Sequence, residues 1–215
     1  MFPLVPYKPK ANRLSVFYGA AGSGKSTLAA YYALRTLKAG YNVYSNVPII
    51  GCKEVTKEMI GKQSITDGLL IIDESGIEYN NRDFKSNFNK KVDGNKSLEW
   101  FKKHRHEGVE IMIFSQGFQD TDIKITTLGT DYYIVRKHWL FKIVKYKRIK
   151  KSPEIDENTK QPIDAFEYKP LSLRMVFMRP LWPYFDSFDR MDLPSLPFRV
   201  YGERAANEKA VDRPA

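Results

Sequence analysis

The segment Gly19-Ala20-Ala21-Gly22-Ser23-Gly24-Lys25-Ser26 satisfies the pattern G-x-x-x-x-G-K-[ST] in full. Those residue types at that spacing suit a nucleoside triphosphate. Glycines let the backbone curl so that successive N–H groups point at phosphate oxygens, and a helix starting at the end of the loop adds the positive end of its dipole. The pattern assigns Lys25 to the β- and γ-phosphates and the Ser26 hydroxyl to Mg²⁺, with Thr27 closing the nucleotide-binding stretch. Such a loop needs a carboxylate at the end of a nearby strand to hold the metal. Leu69-Leu70-Ile71-Ile72-Asp73-Glu74 offers four apolar residues and then two acids. Asp73 is assigned to Mg²⁺, mostly through its water, and Glu74 to orienting and deprotonating an attacking water. The ligands implied are ATP and Mg²⁺, with the choice between ATP and GTP left open.

Two further positions complete this chemistry. The apolar run Glu110-Phe114 ends in Ser115-Gln116, which puts a polar residue at the tip of a strand beside the magnesium strand. Gln116 is the first candidate for sensing the γ-phosphate and Ser115 the second. Oligomeric ATPases often supply an arginine from a neighbouring subunit to the transferring phosphoryl group. Arg105, Arg136 and Arg82 are candidates, and Arg105 leads because it ends the helix that runs into the Gln116 strand.

These residues need a scaffold. Arg13-Tyr18 is β-branched and aromatic and reads as a strand feeding the loop. Ser26-Lys38 reads as a helix, with Arg35 and Lys38 in its last turn and Gly40 just past it. Tyr41-Ser45 reads as a second strand, 54–60 as a short helix, and Leu69-Asp73 as a parallel strand buried on both faces. Polar Gly76-Ser97, with five asparagines, reads as a long loop. Lys96-Glu107 reads as a helix, Val109-Phe114 and Asp131-Val135 as strands, and Trp139-Ile149 as strand-like. The alternation predicts an α/β P-loop NTPase fold: a mainly parallel sheet flanked by helices, with a C-terminal β-hairpin extension and an extended tail. The expected division is a P-loop ATPase domain over 1–150, a β extension of it over 151–179, and a Pro-rich tail over 180–215. Within that extension, 151–164 reads as a polar connection and 168–178 as extended.

The composition bounds the setting. No apolar stretch approaches the roughly 20 residues that span a bilayer, and Met1-Phe2-Pro3 lacks a leader pattern, so a cytoplasmic, soluble or peripheral protein is expected. The single cysteine, Cys52, excludes an internal disulfide. His104 and His106, two apart, would diverge on a helix and read as a solvated helix end rather than a metal site. The net charge of +10 suggests a polyanionic partner. Arg136-Lys151 holds eight Lys or Arg and no acid, interleaved with Trp139, Phe141 and Tyr146. Cations for phosphates and aromatics for bases suit single-stranded DNA, with an anionic membrane surface as the other reading.

The chain resembles the zonula occludens toxin-like family, the P-loop assembly ATPases of filamentous phages. The likeness rests on the loop, on Leu69-Glu74, on His104-Arg105-His106-Glu107-Gly108 running into Ile113-Phe114-Ser115-Gln116, and on Tyr184-Phe185-Asp186-Ser187-Phe188. It implies an ATP-hydrolysing ring at the cytoplasmic face of the inner membrane that drives assembly and export of a single-stranded DNA virion. Many members carry a transmembrane helix after the ATPase domain, and none is read here. The residues alone also allow a small-molecule kinase, which Glu74 argues against, or a non-hydrolysing DNA-binding scaffold.

Overall fold

A computed structural model of the chain describes residues 4–56, 58–73, 93–116, 128–138, 142–155, 162–170 and 172–184. It contains strands β1 (Leu14–Tyr18), β2 (Asn42–Ser45), β3 (Lys53–Glu54), β4 (Gly68–Ile72), β5 (Val109–Ser115), β6 (Asp131–His138), β7 (Ile143–Ile155), β8 (Pro162–Tyr168) and β9 (Arg174–Phe177). Among the described residues there are also two α-helices, α1 (Lys25–Lys38) and α2 (Asp93–Lys103), and a 3-10 helix (Arg179–Tyr184). All nine strands join one sheet in the order β3-β2-β4-β5-β1-β6-β7-β8, with β9 also on β7. Pairing is parallel from β3 to β6 and antiparallel beyond. β5 therefore lies between the P-loop strand β1 and the acid-bearing strand β4, so the tips of all three reach the same edge. This is the P-loop NTPase arrangement that the alternating pattern predicts.

The central strands are buried along their whole length because helices cover both faces. On one face Phe17, Leu69, Ile71, Phe114 and Val135 pack against Leu28, Ala29 and Ala33 of α1. Tyr133, Phe17 and Phe114 stack there with centroids 4.7 and 4.8 Å apart. On the other, Leu14, Val16, Leu70, Ile111 and Ile113 meet Phe101 of α2. Burial of a side chain such as Phe101 contributes about 1.5–3 kcal/mol.

A fully buried carboxylate sits within this apolar interior. Glu110, fully buried on β5, accepts from the Tyr7 hydroxyl at 2.8 Å and from the Lys10 N–H at 2.7 Å, with Arg13 at 3.9 Å. Burial pushes its carboxyl above the usual range, and these partners oppose that shift only in part. The lead-in segment is thus tied to the core rather than trailing from it. Tyr7 N–H also donates to Arg35 O at 3.0 Å.

Several sequence expectations are corrected. Of the helix expected over 54–60, Glu54 belongs to β3 and 58–60 form turns instead. Parallel pairing of β3 with β2 holds this start of the segment extended, and Val55 and Ile60 are both buried. α2 begins at Asp93, earlier than 96, and ends at Lys103. The chain turns there, so His104 is buried and only His106 is exposed. His104 Nδ1 lies 2.6 Å from the Phe101 carbonyl, so that nitrogen carries the proton, and burial lowers the ring's pKa. β6 runs on to His138. β7 starts at 143 and continues to 155, where cross-strand pairing with β8 overrides the polar composition. The tail does not begin extended. Residues 179–184 form the 3-10 helix, which seats Leu181 in the α1-side core. The remainder of the expected tail, 185–215, and most of the 76–97 loop lie outside the described residues. No helix among the described residues is long and apolar enough to cross a membrane.

Candidate functional site

The loop between β1 and α1 is fixed at both ends. Gly19 N–H donates to Ser115 O at 3.1 Å, which ties the start of the loop to the tip of β5. Gly24 sits at φ +95°, a left-handed conformation that favours glycine. A Cβ there would also meet Val144 Cγ2 of β7 at 2.4 Å, and one on Gly19 would meet the Val135 carbonyl oxygen at 2.7 Å. Both signature glycines are therefore required sterically. The hairpin strands press against the loop from below.

Helix α1 starts immediately afterwards with no side-chain cap and no acid in its first turn. Most helices satisfy these N–H groups with Ser, Thr, Asp or Asn. Left bare, this end favours an anionic ligand. Ser23 Oγ is buried without a hydrogen-bond partner among the described residues, a second group suited to phosphate oxygen. The residues present fit a nucleoside triphosphate.

Lys25 is buried, and its Nζ donates to the carbonyl oxygens of Gly19 at 2.7 Å and Ala20 at 3.1 Å. The ammonium is thereby held over the loop. Ser26 Oγ donates to Asp73 Oδ2 at 2.8 Å, joining two residues 47 apart in sequence. Asp73 stands just past β4 and is 2% exposed. Its backbone is clamped by Asn46 at the end of β2. Asn46 Oδ1 accepts the Asp73 N–H at 2.8 Å, and Asn46 Nδ2 donates to the Asp73 carbonyl at 2.9 Å. A hydroxyl and a carboxylate in contact at a helix N-terminus are a hard-oxygen pair that could hold Mg²⁺. Sequence reasoning missed Asn46. Its signal was the polar Ser45-Asn46 exit from the strand next to β4.

These groups open onto a cleft of about 1150 Å³. Ala21, Gly22, Thr27 and exposed Gln116 line it beside Lys25, Ser26 and Asp73. Ser115 is buried, with its carbonyl committed to Gly19, so Gln116 is the residue of that pair that reaches the cleft. Arg105 is not brought to it. It is exposed in the turn that precedes β5, at the opposite end of that strand from Gln116, about 20 Å away at strand rise. Arg105 does precede the Gln116 strand, as its position in the sequence suggests, but the length of β5 separates the two. Glu74 and Arg82 lie outside the described residues. Among the described residues no group of three or more His, Cys, Asp or Glu could hold a metal ion.

The basic stretch 136–151 divides by strand alternation. Lys137 lines the cleft. Lys142 Nζ lies 4.9 Å from the Trp182 ring centroid. Arg148 is paired with buried Asp131, which Arg13 also meets at 3.2 Å. Arg136, Lys145 and Lys147 share the other face of the sheet: Arg136 pairs with Lys145, and Lys145 with exposed Met175. Phe177 is exposed beside them, and Lys147 Nζ lies 4.6 Å from the Tyr168 ring centroid.

The family model described as Zonular occludens toxin (Zot) matches residues 50–168, more than half of the chain. The match begins after the P-loop and takes in Asp73, Glu74, Arg105, Gln116 and the basic stretch. Among solved structures, the N-terminal domain of zonular occludens toxin from Neisseria meningitidis is similar at 14% identity and a TM-score of 0.47. It covers 82% of this chain and 100% of that one. B204, the DNA-packaging ATPase from Sulfolobus Turreted Icosahedral Virus, is similar at 14% identity and a TM-score of 0.43, covering 77% and 100%. No curated protein matches the chain. The fold assignment rests on strand order and on the P-loop rather than on these two superpositions.

Proposed function

The chain belongs to the Zonular occludens toxin (Zot) family, and from that premise we propose that it is a Mg²⁺-dependent ATPase driving single-stranded DNA during phage assembly and export or packaging. The observation that carries this reading is the Ser26–Asp73 hydrogen bond beneath an uncapped helix N-terminus. Two sequence-distant metal-ligand candidates meet where the phosphates would sit.

In this mechanism the bare N-terminus of α1 and the loop N–H groups bind the phosphates. Lys25 exchanges its two loop carbonyls for phosphate oxygens. Ser26 and Asp73 would hold Mg²⁺, which supplies charge neutralisation to the β- and γ-phosphates when bound. Gln116 contacts the γ-phosphate from the tip of β5, and Lys137 adds a second cation to the cleft. Glu74 follows Asp73 directly and is assigned the attacking water. Arg105, at the far edge of the sheet, would act only across a ring interface, on the P-loop of a neighbouring subunit. Single-stranded DNA would run along the face bearing Arg136, Lys145 and Lys147, with Phe177 and Tyr168 available to bases. A membrane contact of the ring, through that face or through phage assembly proteins, belongs to the same reading.

The test is turnover with and without single-stranded DNA for wild type, Glu74→Gln and the triple variant Arg136→Glu/Lys145→Glu/Lys147→Glu. Wild type hydrolyses ATP only with Mg²⁺. Glu74→Gln binds ATP but turns over about 10²–10⁴-fold more slowly. The triple variant keeps basal turnover and loses DNA stimulation. Hydrolysis that ignores DNA and requires a small acceptor identifies a kinase instead. DNA binding without turnover identifies a scaffold.

A further inference from the structure

The P-loop cleft has a second wall that phosphate chemistry does not use. Ile50, Met178, Trp182 and Tyr184 line it together with Lys25 and Ser26. The wall is assembled from two distant segments. Ile50 N–H donates to Tyr184 O at 2.9 Å, joining the turn after β2 to the 3-10 helix. Leu181 anchors that helix in the core beside α1. Met178 N–H donates to Lys142 O at 3.0 Å, and Lys142 is held at φ +47° in the β6–β7 turn. Trp182 and Ile50 nevertheless remain 43% and 64% exposed. A large indole and an aliphatic side chain stand open to solvent within reach of a polyphosphate cradle.

We propose that this wall is the nucleobase subsite of the cleft, where Trp182 stacks on the base and, among the described residues, the wall offers no amide or carboxylate to read its hydrogen-bonding edge. The proposal rests on the cleft binding a nucleoside triphosphate. Lys142 Nζ lies over the indole at 4.9 Å from its centroid, and the exposed part of the ring is available for a planar base to stack on. Aromatic stacking accepts every base because each has a π-face. Strong discrimination between bases needs buried groups that match one edge and are left unpaired by another. The wall side chains carry no amide and no carboxylate. ATP and GTP should therefore be held with affinities within about tenfold of each other, since apolar contact alone discriminates weakly.

The experiment uses the full chain with Trp100→Phe and Trp139→Phe, so that Trp182 is the sole indole. Binding of MgATP, MgGTP and inorganic tripolyphosphate is followed by calorimetry and by Trp182 emission. Both nucleotides are expected to quench the emission with similar midpoints. Tripolyphosphate competes with ATP yet leaves the emission unchanged. Trp182→Ala in the natural chain should weaken ATP about tenfold or more while leaving tripolyphosphate affinity unaltered, and Trp182→Phe should restore most of the loss. ATP binding that leaves Trp182 emission untouched, or that survives Trp182→Ala undiminished, overturns the subsite while sparing the P-loop reading. ATP that does not bind by calorimetry overturns both.

Discussion

Gly24→Ala should reveal that the phosphate loop is braced by β7. Two separable costs arise. At φ +95° an alanine incurs left-handed strain of about 1–2 kcal/mol. Its Cβ would also stand 2.4 Å from Val144 Cγ2, and overpacking of this kind costs about 1–3 kcal/mol. Val144 is fully buried, so it has little room to withdraw. The total, about 2–5 kcal/mol, corresponds to a fall in Tm of roughly 4–20 °C for a chain of this size. Val144→Ala alone should cost about 1–3 kcal/mol through lost burial and the space it leaves. In that background the new Cβ enters the vacated space and Gly24→Ala costs only its backbone strain. Urea unfolding of the four proteins measures the cycle, and a coupling of about 1–3 kcal/mol is expected. If Gly24→Ala costs the same in both backgrounds to within about 0.5 kcal/mol, β7 does not brace the loop and the reasoning fails.

Ser26→Ala and Asp73→Asn should each abolish Mg²⁺-dependent turnover, and their combination should be no worse than either alone, because they serve one site; additive losses in the assay would separate them. Asp131→Asn should cost about 1–3 kcal/mol by chemical unfolding, since two partly exposed arginines lose their shared carboxylate. Glu110→Gln tests the buried acid. A folded-state pKa raised above its ordinary 4.5 gives stability that is complete at lower pH and is lost as pH rises through the folded value. The unfolding free energy of wild type minus that of Glu110→Gln should therefore fall from about pH 4 upward, and a flat or rising difference contradicts the assignment.

The phosphate end of the site is legible in the sequence because it is local. Gly19 to Thr27 are contiguous, and Asp73 announces itself by ending an apolar run. Gln116 is found the same way. What escapes is set by pairing between distant segments. The polar Ser45-Asn46 strand exit marks Asn46 only as a polar strand end, and that it clamps Asp73 depends on β2 lying beside β4. Arg105 looks close to Gln116 along the chain, yet a parallel strand separates its two ends by its whole length. Lys137 and Lys145 belong to one basic run, and strand alternation sends one into the cleft and the other to the opposite face. Trp182 lies in a Pro-rich segment whose composition suggests a free tail, and only the burial of Leu181 against α1 turns it back toward the loop. Glu110 reads as part of an apolar strand because the residues that satisfy it come from the lead-in, 100 positions earlier.

β7 places consecutive residues on opposite sides of a layer one backbone thick. Val144 supports the turn at Gly24, and its neighbour Lys145 faces outward with Arg136 and Lys147. A strand has no interior that could absorb a push. On the proposed function, a polymer drawn across the outer side and phosphates held on the inner side would bear on a common partition, and a shift of that partition would reach the other side within a single residue.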